Sequence, residues 1–213
     1  FDNNDYYAFC EQLGMEPWYN LPGTVTKEGV LKYMEYIGAP ADVGMARLRA
    51  EYGHPKLWTE TLKAIHVEFG NEIWNFARPY LGCGYSGPDH WEEIIQAAKA
   101  SPHYKPNVIF HVGGRAFPSL PQVPQSVPSA DRFTWAPYIL HHLSKATIDK
   151  LGSDENLVKY AFTRAIDNAT NKGGGRGEMF GAQKRIEGFG VRGSFSIYEV
   201  NHHLCFSNEN ARE

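Results

Sequence analysis

Strand-like segments alternate with amphipathic helical segments along the chain, and this order limits the possible folds more than any other feature. The predicted helices cover residues 5–13, 26–38, 89–101 and 153–171, and the predicted strands cover residues 15–21, 64–74, 107–114, 132–140 and 194–203. Strands joined by helices lie parallel, because each helix carries the chain back to the edge where the previous strand began. The order therefore predicts an α/β fold with a parallel sheet, either open and doubly wound or closed as a barrel.

Local signals place the ends of several segments. Thr26, Asp89 and Ser153 each precede a helical pattern and are predicted to be N-caps. Residues 117–129 are rich in proline, which fixes φ and removes a hydrogen-bond donor, so this stretch is predicted to be a loop. The glycine-rich stretch 172–181 follows a helix instead of a strand, so it is predicted to be a flexible loop and not a phosphate-binding one.

Composition excludes several classes of function. The net charge of −3 and the lack of a basic run speak against binding to nucleic acid or to an anionic membrane surface. No stretch reaches the roughly 18 apolar residues of a membrane span. With 42% hydrophobic and 21% charged residues, the 213-residue chain is predicted to form one globular domain. The aromatic content of 14% suits either stacking on sugar rings or a large aromatic core.

Cysteine and histidine positions do not indicate a metal site. Cys10, Cys83 and Cys205 are odd in number and widely spaced, which indicates neither a zinc site nor a disulfide framework. The adjacent histidines at 141–142 and 202–203 do not share a strand face, and no carboxylate stands at ligand spacing with them. The chain starts inside a helical pattern, so we expect that the N-terminal part of a longer protein precedes it.

Two predicted strands end in a glutamate. Glu72 follows Gly70 and Asn71 near the end of one strand, and Glu199 closes the segment "SFSIYE". The C-terminal ends of parallel strands are where barrel enzymes carry their catalytic groups. Two convergent carboxyls are what glycoside hydrolysis requires, one as a protonated acid for the leaving oxygen and one as an ionised nucleophile or base. Taken alone, Glu72 could be a surface residue and Asn71 a turn residue.

Three segments resemble the clan A glycoside hydrolases, and within them the α-L-arabinofuranosidase-type enzymes. "FCEQLGMEPWYNL" resembles their third-strand segment, "VEFGNEIW" resembles their fourth strand, and "SFSIYEVN" resembles their seventh strand. The resemblance implies a (β/α)8 TIM-type barrel that is incomplete in this chain, which would cover strands three to seven. Residues 1–213 would then form a single partial barrel catalytic domain, and a second chain or a missing segment would complete it.

The resemblance also implies a retaining mechanism with roles for three residues. Glu72 would be the acid/base, Glu199 the nucleophile, and Asn71 would bind the sugar hydroxyl next to the reacting carbon. The partner would be a carbohydrate, and neither a metal nor an organic cofactor is implied. The compartment stays open, although degradation of a polysaccharide would favour a secreted or periplasmic location.

Further residues are candidates for substrate binding. Tyr138 could hydrogen-bond Glu199, and Trp74 could stack on a sugar ring, although both could equally be core residues. Asn20 could face the sugar or pack in the core, and His202 could line the rim of the pocket. The family's strand-six pattern, a histidine two residues before a tyrosine, is not kept, because Ala136 stands at that position.

Strand alternation sets one condition on the site. Asn71 and Glu72 fall on opposite faces of a regular strand, so they serve one site only if the strand bulges or ends there, which Gly70 permits. Phe195 and Glu199 share a face, so the last strand is expected to raise no such problem.

Two alternatives remain for the function: a β-glycan endo-hydrolase of the same clan, and a non-catalytic carbohydrate-binding or scaffold barrel.

Overall fold

A computed structural model describes most of the chain. The described residues are 3–70, 88–113, 123–135, 140–170, 194–197 and 202–206, together with the single positions 181, 184, 187 and 188. The strands are β1 (Trp18–Leu21), β2 (Ile65–Phe69), β3 (Val108–Gly113), β4 (Arg132–Trp135), β5 (Leu140–Leu143), β6 (Ser194–Ile197) and β7 (His202–Phe206). The helices are α1 (Asn3–Leu13), α2 (Lys27–Gly38), α3 (Ala46–Glu51), α4 (Trp58–Thr61), α5 (Pro88–Lys99), α6 (Val123–Ser126), α7 (Lys145–Leu151) and α8 (Asp154–Thr170).

The strands form two parallel sheets. The main sheet has five strands in the order β1-β2-β3-β4-β6, and every neighbouring pair is parallel. β5 and β7 form a parallel pair of their own. Arg132 pairs with Ser194, and Leu140 pairs with His202 at the same sequence offset. The prediction of an α/β fold with a parallel sheet is confirmed.

Side chains pack the helices against one face of the main sheet. Every second residue of β2 and β3 faces the helices, and these residues are apolar and buried. These residues share one hydrophobic cluster with the inner faces of α2 and α5, and the members from the four elements are Ile65, Val67, Phe69, Val108, Phe110, Val112, Val30, Met34, Ile37, Trp91, Ile94 and Ile95. Burial of this cluster is the main source of stability, and it leaves the opposite face of the sheet for other work.

Helix ends confirm two predicted caps and contradict the third. The Thr26 side chain accepts a hydrogen bond from Gly29 N at 3.1 Å, and the Ser153 side chain accepts one from Asn156 N at 3.3 Å. Asp89 is not an N-cap, because α5 begins at Pro88 and Asp89 lies in its first turn. Proline suits the first helical position, where its missing N–H would have no partner.

Four short helices, α3, α4, α6 and α7, were not predicted, because each is too short to show a helical period. α6 contradicts in part the prediction that 117–129 is a loop: a proline in the first turn of a helix costs no hydrogen bond. Within the described ranges, no helix combines the length and the apolar character needed to span a membrane.

A buried arginine joins α2 to the segment that follows α3. The side chain of Arg49 is fully buried. Its guanidinium donates to the carbonyl oxygens of Tyr36 at 2.6 Å, Ala39 at 2.7 Å and His54 at 3.1 Å. Arg49 thus provides donors for backbone acceptors at the end of α2 that the helix itself leaves unpaired.

Candidate active site

The strands that lead to the two predicted catalytic glutamates have their C-terminal ends on the same side of the main sheet. Because the strands are parallel, β2 and β6 point the same way, and β3 and β4 separate them. β2 ends at Phe69, three residues before Glu72, and β6 ends at Ile197, two residues before Glu199. Several predicted site residues lie outside the described residues: Asn71, Glu72, Trp74, Tyr138 and Glu199.

Gly70 ends β2 in a left-handed conformation. Its φ is +64°, a value that glycine adopts without strain, so regular strand alternation stops there. This meets the condition under which Asn71 and Glu72 can serve one site. The N–H of Gly70 donates to Leu21 O at 2.6 Å, and its carbonyl accepts from Asn20 Nδ2 at 3.0 Å. The exposed Asn20, at the end of β1, therefore supports the turn that leads to Asn71 and Glu72.

His202 is the first residue of β7, in the two-stranded sheet. A position at the rim of the pocket remains a prediction.

Polar side chains on the face opposite the helices reach across whole strands to one another. Thr134 Oγ1 of β4 donates to Glu68 Oε1 of β2 at 2.6 Å, and His111 Nδ1 of β3 lies 2.9 Å from Ser196 Oγ of β6. Strands two positions apart in a flat sheet are about 9.6 Å from each other, so these side chains meet only because the sheet curves toward them. We call this surface the concave face, and its members are Trp18, His66, Glu68, His111, Thr134 and Ser196.

Trp18 fills the space between the polar groups of the concave face. Its ring stacks on that of His66 with 5.5 Å between centroids, and it approaches the His111 ring to 4.2 Å. Trp18 Nε1 donates to Glu68 Oε2 at 3.0 Å. His111 is a core residue, because its side chain is fully buried and both ring nitrogens have hydrogen-bond partners.

Sequence reasoning did not single out His66, Glu68, Thr134 or Ser196. A signal for them exists in the strand sequences. Parallel strands covered by helices on both faces are apolar at nearly every position, yet "IHVEF" and "SFSI" carry a polar residue at every second position. This two-residue period indicates strands with one polar face, such as the interior of a barrel.

The alternation of side chains along β6 raises a difficulty for the predicted position of Glu199. Ser196 faces the concave side, so the odd-numbered positions of β6 belong to the other face. A regular continuation of β6 would turn Glu199 to the outer face, away from the concave side. Glu199 lies outside the described residues, so the side of the sheet on which it stands remains a prediction, and a position on the concave side implies a bulge after Ile197. In the separate two-stranded sheet, the register of β5 and β7 shifts between Leu140 and His142.

Glu68 is a buried carboxyl without a described cationic partner. Its side chain is 5% exposed, and it accepts hydrogen bonds from Trp18 and Thr134. Burial raises the pKa of Glu68 above the usual value of 4.5, although these two hydrogen bonds act against the increase. The concave face thus contains a carboxyl that is costly to ionise, on the strand that leads to Glu72.

Glu68→Gln is expected to make stability less dependent on pH. Because the folded pKa of Glu68 lies above the unfolded value, the folded state binds more protons between the two, and wild-type stability falls as the pH rises through that window. Urea unfolding from pH 4 to 7 should show the variant gaining on the wild type by up to about 1.4 kcal/mol per pH unit. Glu28→Gln, on the exposed surface of α2, is the control and should show no such gain. A difference for Glu68→Gln that is constant with pH contradicts the prediction.

Other features of the described residues lie away from the strand ends. A cavity of about 420 Å³ is lined by residues of α1, α2 and the α3 region, including Tyr33, Tyr36 and Tyr52. None of the predicted site residues contributes to it. No group of three or more His, Cys, Asp or Glu side chains in the described parts is arranged to hold a metal ion.

Comparisons with known proteins point to one class of enzyme. No family model matches the chain. A curated protein of Bacteroides ovatus, an intracellular exo-α-L-arabinofuranosidase, is 32% identical over 98 residues, which are 45% of this chain and 17% of that protein. The solved α-L-arabinofuranosidase of Thermotoga maritima, an arabinose complex, has a TM-score of 0.58 at 18% identity and covers 93% of this chain. This chain resembles α-L-arabinofuranosidases.

A second solved structure is similar to this chain over its whole length. The family 51 α-L-arabinofuranosidase of Bifidobacterium longum has a TM-score of 0.60 at 16% identity and covers 100% of this chain. The chain spans 38% of the Thermotoga structure and 41% of the Bifidobacterium structure. The predicted fold class, a (β/α)8-type barrel present in part, is confirmed. So is the resemblance to arabinofuranosidases, which are glycoside hydrolases; the site residues stay predictions.

Proposed function

We propose that this chain carries the catalytic pair of a retaining glycoside hydrolase that cleaves α-L-arabinofuranosyl bonds. The observation that carries the proposal is the common direction of β2 and β6 in a curved sheet, since these strands end three residues before Glu72 and two residues before Glu199. The concave polar face of that sheet and the arabinofuranosidase relatives support it.

Two carboxyl groups suffice for the chemistry. Glu72 gives its proton to the leaving oxygen while the Glu199 carboxylate attacks the anomeric carbon, so the glycosidic bond breaks and a glycosyl ester forms. Glu72, now ionised, then takes a proton from water, whose oxygen attacks the anomeric carbon and releases Glu199. Retention of configuration by this route requires carboxyls about 5–5.5 Å apart, against about 6.5–9.5 Å for inversion.

The other predicted residues take supporting roles in this proposal. Asn71 binds the sugar hydroxyl beside the reacting carbon, and Tyr138 donates a hydrogen bond that keeps Glu199 ionised. Trp74 and His202 border the sugar site. Asn20 stands at the end of β1, where its amide already supports the turn at Gly70.

A full (β/α)8 barrel needs more strands than the main sheet of the described residues contains. β1 and β6 stand at the two edges of that sheet, each with one strand neighbour. An edge strand has backbone N–H and C=O groups that can pair with a further strand. We propose that the remaining strands come from outside the described residues, either from other segments of the same polypeptide or from a second chain.

The direct test is an assay of the full-length protein on aryl glycosides. We expect hydrolysis of 4-nitrophenyl α-L-arabinofuranoside, with slower or no hydrolysis of the matching β-D-xyloside and β-D-glucoside. Proton NMR of the first-formed product should show arabinose of the same anomeric configuration as the substrate. Inversion would contradict the two-step mechanism, and preferential internal cleavage of a β-glycan would favour the endo-hydrolase. Binding of oligosaccharide without any turnover would indicate a non-catalytic barrel.

A further inference from the structure

A chain of hydrogen bonds runs through the concave face, from the start of the sheet to β6. Glu16, just before β1, accepts a hydrogen bond from His66 Nε2 at 3.0 Å. His66 Nδ1 lies 2.9 Å from His111 Nε2, and His111 Nδ1 lies 2.9 Å from Ser196 Oγ. These hydrogen bonds connect β2, β3 and β6, and no residue of β4 takes part in them.

Each link of this chain has one donor and one acceptor. Hydrogen bonds from His66 and Lys63 lower the pKa of the Glu16 carboxyl, so it is an ionised acceptor and His66 Nε2 carries a hydrogen. Burial lowers the pKa of His111 to about 3, and the nearby His66 and Arg132 add to this effect, so its ring is neutral. A neutral ring has one N–H, so one nitrogen of His111 donates and the other accepts. The Ser196 hydroxyl can take either role at Nδ1, so the hydrogen bond to β6 forms with either tautomer.

Ser196 gives β6 a second attachment to the sheet. Among the described strands, β6 makes backbone hydrogen bonds to β4 alone. The hydrogen bond between Ser196 and His111 ties β6 to β3, and the bond between His111 and His66 ties β3 to β2 on the same face. The side chains therefore link the strand that leads to Glu72 with the strand that leads to Glu199, independently of β4.

We propose that Ser196 and His111 are positioning residues that set the separation of the Glu72 and Glu199 carboxyls. The proposal rests on the function assigned to those two glutamates above. Ser196 stands three residues before Glu199, so a lateral shift of β6 at Ser196 is passed on to the nucleophile. A misplacement of about 1 Å can lower a reaction rate about 100-fold, which makes the anchoring of β6 a requirement of the chemistry.

Ser196→Ala removes the hydroxyl and leaves the rest of the strand unchanged. In the full-length protein we expect kcat on 4-nitrophenyl α-L-arabinofuranoside to fall at least about tenfold, with KM changed less than about threefold. KM should change little because the substitution moves the nucleophile and removes no substrate contact. Ser196→Thr retains a hydroxyl that can donate to His111, and it should recover most of the lost kcat.

Ser129→Ala is the matched control. The Ser129 hydroxyl donates to Glu92 Oε1 at 2.6 Å, before the start of β4. The substitution therefore also removes one serine hydroxyl and its hydrogen bond, but far from the C-terminal ends of β2 and β6. Urea unfolding of both alanine variants shows whether they lose similar stability. We expect the control to keep the wild-type kcat, which separates positioning from a general loss of stability.

Carbon-13 NMR titration of the Glu72 and Glu199 carboxyls supplies a readout that does not depend on turnover. The difference between their two apparent pKa values depends on their separation, and we expect it to change in Ser196→Ala and to persist in Ser129→Ala. If Ser196→Ala matches Ser129→Ala in both kcat and the carboxyl titration, the positioning role is wrong. If the wild type hydrolyses no glycoside while the titration responds to Ser196→Ala alone, the positioning role stands and the proposed function falls.

Discussion

Glu199→Ala is expected to lower kcat by about four orders of magnitude or more, because without the carboxylate no glycosyl ester forms. Azide should restore turnover of an aryl α-L-arabinofuranoside in this variant, since a small anion fits the space of the lost carboxylate. It attacks the anomeric carbon directly as the aryl alcohol leaves, so the glycosyl azide should have the inverted, β configuration. Product analysis by proton NMR distinguishes the two anomers.

Glu72→Ala tests the other role on the same substrates. The loss should be several orders of magnitude for a poor leaving group, which needs protonation, and much smaller in the first step for 2,4-dinitrophenolate, which does not. Azide should here give a product of retained configuration, because it attacks the ester formed by Glu199. Glu51→Ala, at the exposed end of α3, is the control and should leave kcat unchanged. Normal turnover in either the Glu72 or the Glu199 variant excludes the assigned pair.

Arg49→Met is expected to lower the free energy of unfolding by about 3–4 kcal/mol. Methionine fills a similar volume but cannot donate, so the carbonyls of Tyr36, Ala39 and His54 lose their partner, at about 1–3 kcal/mol for each acceptor left buried and unpaired. Burial lowers the pKa of Arg49, which shows that the guanidinium itself is costly to bury, and removing that cost offsets part of the loss.

The measurement is urea unfolding, with Arg47→Met as the matched control. Arg47 is on the same helix, and its Nε donates to Asp42 O at 2.8 Å on the exposed surface, where water can replace the lost donor. The control should change the free energy of unfolding by less than about 0.5 kcal/mol. Equal effects of the two substitutions would contradict the role of Arg49 as the link between α2 and the residues after α3.

Local patterns in the sequence were sufficient for the elements with a clear period. The strand at "IHVEF" and the helix α2 with its Thr26 cap follow from two- and 3.6-residue periods and from the cap chemistry. The start of α5 does not follow from the sequence. Asp89 suits either an N-cap or a first turn, and only the backbone path shows that the helix already begins at Pro88. The short helices α3 and α4 have six and four residues, too few for a period to be recognised.

What the sequence by itself determined is the parallel α/β order, the resemblance to arabinofuranosidases and the placement of Glu72 and Glu199 after two strands. These follow because periodicity, turn residues and short motifs are properties of neighbouring residues. The tertiary structure alone decided that the sheet curves, that Glu68 meets Thr134 and that His111 meets Ser196 across an intervening strand. Such contacts depend on strand order, register and curvature, which arise when distant segments pack together and the curved sheet turns its polar side chains toward one interior.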